Sequence, residues 1–339
     1  MIFWYDKFKQ YNDRLEAINS GNHCDFYYYD LEFSKFDWTT PPKESLQELY
    51  RRRAQQIRDQ YDRVVICYSG GIDSTQVLET FYYNNIHIDE ILVVGATSQD
   101  KEHGSDDNHN GDLYHNVFPY LKDLHLPKTK ISFFDYTNYF DKPNTFTLID
   151  KHGDDYVDHI GVRTSLHNLF WYDLDKFLGG NKNTAYVMGK DKPILEFDRL
   201  LKKYYMRFHD VSYVDYGNRY QYDNGKRINF YSEPDSVDII IKQCHMIKDR
   251  NEYIQETWQK DIFLNYFENI KPIIYDLKRP LVHQSKKSKT LHLSARDMFL
   301  LNHKGSDIYN LYAKAIHGLN KKTDLLKPKV LLSRKWYIT

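Results

Sequence analysis

Seven residues, Ser69-Gly70-Gly71-Ile72-Asp73-Ser74-Thr75, gather two glycines, three hydroxyls and one carboxylate. Glycine lets a backbone turn sharply and approach a ligand closely. Where a helix begins in such a run, its first N–H groups lack partners and its dipole end is positive. That combination favours a phosphate or pyrophosphate. Ser69, Ser74 and Thr75 add hydroxyl donors. Asp73 would repel a bare phosphate, so it makes sense when a Mg²⁺ ion lies between the two. A glycine-rich turn without a ligand needs neither the aspartate nor the flanking hydroxyls. The run is not a Walker loop, because no G-K-[ST] follows, and it lacks the G-x-G-x-x-G of the dinucleotide fingerprint.

Other polar clusters are candidates of a weaker kind. Met188-Gly189-Lys190-Asp191-Lys192-Pro193 is either a site loop or a charged surface turn closed by proline. The stretch from His103 to Asp112 is dense in ligand types, and reads as a transition-metal site, a loop over a nucleotide or substrate, or a solvated turn. Arg163, Ser165, His167 and Asn168 open a helical pattern, where they suit a carboxylate or phosphate, or simply cap the helix. Ser294, Arg296, Asp297 and Lys304 are candidate substrate contacts. Arg51, Arg52 and Arg53 read as a solvated helix face, with a polyanion contact as the sharper alternative.

These side chains need a frame. Val64 to Tyr68 is an apolar run with the character of a buried strand, and Val77, Leu78, Phe81 and Tyr82 follow at helical spacing. Further strands are expected at 87–95, 129–136 and 184–189, with helices at 112–124 and 160–177. Buried strands alternating with helices predict an α/β fold with a parallel, doubly wound sheet. Ligands of such sheets lie beyond the carboxyl ends of the strands. The loops after Tyr68, Gly95 and Gly189 would then share one rim. Residues 1–60 read as an N-terminal region, with a short strand at Phe26–Tyr29 and a helix through Leu46, Leu49, Tyr50, Ala54 and Ile57. Residues 61–195 read as the nucleotide domain, and 196–339 as a helical, substrate-binding region.

Composition narrows the classes. Lys+Arg and Asp+Glu both number 47 in 339 residues, so overall charge draws the chain to neither nucleic acid nor membrane. Cys24, Cys67 and Cys244 are far apart and form no C-x-x-C pair, which argues against a disulfide framework or a cysteine zinc site. No apolar run approaches 18 residues. The expected location is the cytoplasm.

Ser69 to Ser74 resembles the S-G-G-x-D-S loop of the PP-loop ATP pyrophosphatases, the superfamily of asparagine, GMP and NAD synthetases. The resemblance implies an adenine nucleotide alpha hydrolase-like fold, ATP and Mg²⁺ as ligands, and cleavage of ATP to AMP and pyrophosphate. It implies a phosphate-binding role for residues 69–75, with Gly95 on the same rim. The loop after Gly189 is similar in place to an acidic loop of asparagine synthetases, but departs from its G-x-G-A-D-E form. Only Asp191 is carried over, as a second Mg²⁺ contact beside Asp73, while Lys190 and Lys192 suit charge on the leaving pyrophosphate. Position 2 is Ile2 rather than a glutaminase cysteine, so ammonia, an amine or a separate glutaminase would supply nitrogen. The cysteines lack the arrangement of the sulfur-inserting relatives. An amide-forming ligase similar to the asparagine-synthase-like proteins of bacteriophages is the expectation, and host cytoplasm its location. The alternatives are a nucleotide-binding subunit or sensor without turnover, and a PP-loop enzyme that modifies a nucleobase in DNA or tRNA.

Overall fold

A computed structural model describes residues 2–12, 17, 20–95, 113–135, 177, 183–190, 194–210, 225–249, 274–279 and 331–338. The chain opens with β1 (Ile2–Tyr5), β2 (Gln10–Tyr11) and β3 (Asp25–Tyr28), an antiparallel sheet of order β2-β1-β3. Asp6 fixes the first turn by accepting the N–H groups of Phe8 and Lys9 at 2.7 and 2.8 Å. The short helix α1 (Asp30–Phe33) follows β3.

Asp30 is buried, and its carboxylate accepts the Tyr28 N–H at 3.2 Å. Burial pushes its pKa from 3.8 up to about 6, against the pull of that N–H. The folded protein therefore binds this proton more readily than the unfolded chain. Stability from this group is present below about pH 4 and is lost as pH rises through about 6. After screening is allowed for, the ionised group costs about 1–2 kcal/mol. Asp30→Asn is expected to be more stable than the parent protein at pH 7.5, with the difference vanishing near pH 4. Urea unfolding at both pH values checks this, and equal differences at the two would contradict it.

Helix α2 (Leu46–Gln60) starts at a reciprocal cap, in which Ser45 Oγ accepts the Glu48 N–H at 3.2 Å and Glu48 accepts the Ser45 N–H at 2.7 Å. Leu46, Leu49, Tyr50, Ala54 and Ile57 form its buried face, as their spacing predicts. The arginine triplet divides. Arg51 and Arg52 are exposed, whereas Arg53 is 3% exposed and pairs with Asp235 at 2.7 Å.

The rest of the described chain runs β4 (Arg63–Tyr68), α3 (Ile72–Tyr83), β5 (Glu90–Gly95), a π-turn at Leu113–Val117, α4 (Phe118–Asp123), β6 (Lys130–Asp135) and β7 (Thr184–Met188). It continues through β8 (Ile194–Asp198), β9 (Lys203–Arg207), β10 (Lys226–Asn229), α5 (Val237–Asp249) and β11 (Trp336–Tyr337). Five strands form a wholly parallel sheet of order β10-β7-β4-β5-β6. Both faces are apolar, as buried parallel strands require. Val64, Ile66 and Tyr68 of β4 join the large core with α2, α3 and α5, while Val65 packs with Leu92, Phe134, Tyr186 and Met188 on the other face.

Among the described residues after 196, strands stand beside the expected helix. Helix α5 is present, but β10 adds a fifth strand to the sheet, and β8, β9 and β11 make an antiparallel sheet of order β11-β9-β8. These strands are short and charged, so they lack a long apolar period. Pairing and local ion contacts hold them instead. Arg207 grips Glu196 through Nε and Nη2 at 2.9 and 2.7 Å. Burial alone would raise the Glu196 carboxyl, but hydrogen bonds from Tyr205 and Arg207, with the His209 ring 4.0 Å away, hold it at about 2. Apart from Phe177, the expected helix at 160–177 lies outside the described residues, as does the cluster at 294–304.

Candidate functional site

The strand order fixes where a ligand belongs. Moving along the chain, the sheet grows from β4 through β5 to β6, then returns to the other side of β4 with β7 and β10. The reversal falls between β4 and β7. Right-handed crossovers leave a crevice at such a point, outside the carboxyl ends of the two strands. Ser69 leaves the end of β4, and Gly189 and Lys190 leave the end of β7.

The turn from β4 into α3 is built from its own polar atoms. Gly70 has φ +77°, a left-handed value that side-chain-bearing residues seldom adopt. Gly71 is the extended residue that caps α3, with φ −75° and ψ 162°. Ser74 Oγ accepts the Ser69 N–H at 3.2 Å and lies 3.0 Å from Ser69 Oγ. The hydroxyls of Ser74 and Thr75 donate to the Gly71 carbonyl at 3.1 and 2.8 Å. Asn116, in the π-turn, donates to the Gly70 carbonyl at 3.2 Å.

These bonds sort the three hydroxyls. Ser74 and Thr75 are 3% and 1% exposed, and their hydroxyls hold the turn together. Ser69 is the exposed residue of the three, although its Oγ also accepts the Gly71 N–H at 3.4 Å. Ile72 packs partly buried against the core, and Asp73 sits in the first turn of α3. The N–H groups of Ile72, Asp73 and Ser74 are first-turn donors with no acceptor earlier in their own helix. A rigid turn ending in such donors is a ready anion site.

Three further residues close round Asp73. A Cβ added to Gly189 would fall 2.5 Å from the Asp73 carbonyl oxygen and 2.6 Å from Ser74 N. Only glycine therefore lets β7 come this close to the start of α3. Tyr231, just past β10, donates to the Asp73 carbonyl at 2.8 Å, and its burial raises its own pKa well above the usual range. The Tyr275 hydroxyl donates to Asp73 Oδ1.

Helix α3 is buried from Ser74 through Phe81, so its polar side chains must find partners. Gln76 and Glu79 find them in the 274–279 segment. Gln76 Oε1 accepts the Asp276 N–H at 2.9 Å, and Glu79 accepts those of Lys278 and Arg279 at 2.7 and 3.2 Å.

Gly95 ends β5 on the same rim, but it is buried, and a Cβ there would meet Leu113 Cδ2 at 3.0 Å. Lys190 is half-buried beside Gly189. Thus residues 69–75, Gly95 and Lys190 share the rim, while Asp191, Lys192, Arg163, Ser165, Arg296 and the 103–112 cluster fall on residues the structure does not describe. Tyr231, Tyr275, Asn116, Gln76 and Glu79 carry no sequence signal beyond their neighbours. They are found only through the contacts above.

Among the described residues, no group of three or more His, Cys, Asp or Glu could hold a metal ion by itself. A Mg²⁺ at Asp73 would share its ligands with phosphate oxygens and water, the usual arrangement for that ion. The cysteines are free. Burial pushes the Cys67 thiol up to about 12 and raises Cys244 as well, so neither is a ready thiolate. No described helix is long and apolar enough to cross a membrane. No protein-family model matches the chain, and a search of curated proteins finds no match.

Proposed function

We propose that this protein is an ATP pyrophosphatase of the PP-loop type, which adenylates a small acceptor and then forms an amide-type C–N bond. The observation that carries this reading is the placement of the Ser69–Ser74 turn at the sheet's reversal point, with Asp73 in the first turn of α3 and Gly189 packed against it. The β and γ phosphates of ATP would lie on the first-turn N–H groups and Ser69. Asp73 would hold a Mg²⁺ ion, whose chemistry there would be to neutralise phosphate charge. An acceptor carboxylate oxygen attacks the α-phosphorus. The new O–P bond forms as the bond to the β-phosphate oxygen breaks, and pyrophosphate leaves with the electron pair. Ammonia or an amine then attacks the activated carbon, loses a proton, and AMP departs.

The chain contributes position and charge rather than a covalent intermediate. Lys190 and Lys192 would stabilise the leaving pyrophosphate, and Asp191 would give a second Mg²⁺ contact. Arg163, Ser165 and Arg296 are proposed for the acceptor. A separate glutaminase is a candidate nitrogen source. The weakly acidic thiols of Cys67 and Cys244 disfavour persulfide chemistry. The test is isotope exchange between pyrophosphate and ATP, run with a panel of carboxylate and nucleobase acceptors. Mg²⁺-dependent exchange with one acceptor class supports the reading. Nucleotide binding without exchange across the panel favours a sensor or non-catalytic subunit.

A further inference from the structure

We infer that Tyr275 is a positioning residue for the Asp73 carboxylate, and that the 274–279 segment thereby sets the Mg²⁺ requirement of the loop. The inference rests on the reading of Asp73 as a Mg²⁺ ligand. Asp73, Gln76 and Glu79 recur every third residue on α3 and form one stripe facing this segment. The backbone on either side of Tyr275 is pinned. Tyr50 donates to the Ile274 carbonyl at 2.8 Å, and Gln243 holds the Tyr50 hydroxyl at 2.8 Å. Beyond Tyr275, Gln76 and Glu79 take the N–H groups of residues 276, 278 and 279. Gln76 and Glu79 are 5% and 3% exposed, so water competes little for these bonds. Glu79 also accepts the Tyr120 hydroxyl at 2.8 Å, and Arg279 lies over the Tyr120 ring at 5.4 Å.

The Tyr275 phenol is thus delivered to Asp73 Oδ1 by a fixed frame, with its ring edge-on to Tyr231 at 6.4 Å. A carboxylate offers about four acceptor sites, so one phenol does not exhaust it. A lone aspartate must surrender side-chain freedom when it takes a metal. Outer partners of ligating carboxylates are worth roughly 10–100-fold in metal affinity. Tyr275 fills that place here, and it ties the C-terminal part of the chain to the loop.

The test titrates Mg²⁺ into protein with a saturating fluorescent N-methylanthraniloyl ATP. In Tyr275→Phe, the half-maximal Mg²⁺ concentration is expected to rise about tenfold, and excess Mg²⁺ to restore the full signal. Glu79→Gln loosens the frame without touching Asp73, and should shift the midpoint in the same direction by less. An unchanged or lowered midpoint in Tyr275→Phe overturns the inference, and so does a lowered plateau that Mg²⁺ does not rescue. Wild-type protein that binds the nucleotide with no need of Mg²⁺ overturns the ligand reading of Asp73 itself. If the wild type responds to Mg²⁺ and Tyr275→Phe matches it, only the role of Tyr275 falls.

Discussion

Asp73→Asn is expected to lower Mg²⁺-dependent pyrophosphate exchange by about 10²–10³-fold while the protein stays folded. Asparagine keeps an oxygen for the Tyr275 hydroxyl and differs little in volume, so the local packing survives. What disappears is the negative charge that a Mg²⁺–phosphate complex needs. A loss of that size is about 3–4 kcal/mol of transition-state stabilisation. The effect on folding is much smaller. A first-turn carboxylate favours its helix by about 0.3–1 kcal/mol through the dipole. A residue retained for helix stability alone would show the reverse balance. Exchange rates and urea midpoints on the same preparations separate the two. A variant that exchanges at the wild-type rate would remove Asp73 from the chemistry.

Gly189→Ala should damage both stability and nucleotide binding. Its new methyl would lie 2.5 Å from the Asp73 carbonyl oxygen and 2.6 Å from two further backbone atoms, and backbone cannot swing aside as a side-chain tip can. Either β7 or the start of α3 must move. Forced overpacking of this kind costs about 1–3 kcal/mol. The displaced turn is the proposed phosphate site, so affinity for Mg²⁺·ATP should fall at least tenfold. Gly71→Ala provides the control. Its φ is −75°, and its added Cβ meets only Ser69 Oγ at 3.5 Å. That change should leave the melting temperature within a degree or two. A Gly189→Ala protein that melts and binds like the wild type would contradict the close approach.

The sequence and structure agree where apolar runs are long. Val64–Tyr68 and Ile91–Val94 are strands of a parallel sheet because no other arrangement buries them on both faces. The fifth strand escaped because Lys226-Arg227-Ile228-Asn229 has one apolar residue and lies at the sheet edge. The 69–75 loop was legible because its types are unusual together. Its three hydroxyl residues were not separable, since Ser69 stays exposed while Ser74 and Thr75 become buried only once Gly71 caps the helix.

The 274–279 segment left no trace in hydropathy. Its bonds run mainly from backbone N–H groups to Gln76 and Glu79, two polar residues that a helix pattern places on a wet face. The segment itself buries them. Strand order was equally hidden, because the return of β7 to the far side of β4 depends on pairing over more than a hundred residues.

The most direct test of the phosphate-binding claim is calorimetric titration of the wild-type protein with Mg²⁺ and α,β-methylene-ATP, which cannot be cleaved between the α and β phosphates. Saturable binding that requires Mg²⁺ and is lost in Asp73→Asn is expected. Absence of heat at millimolar nucleotide, or equal binding by both proteins, would contradict a triphosphate seated on the Ser69–Ser74 turn.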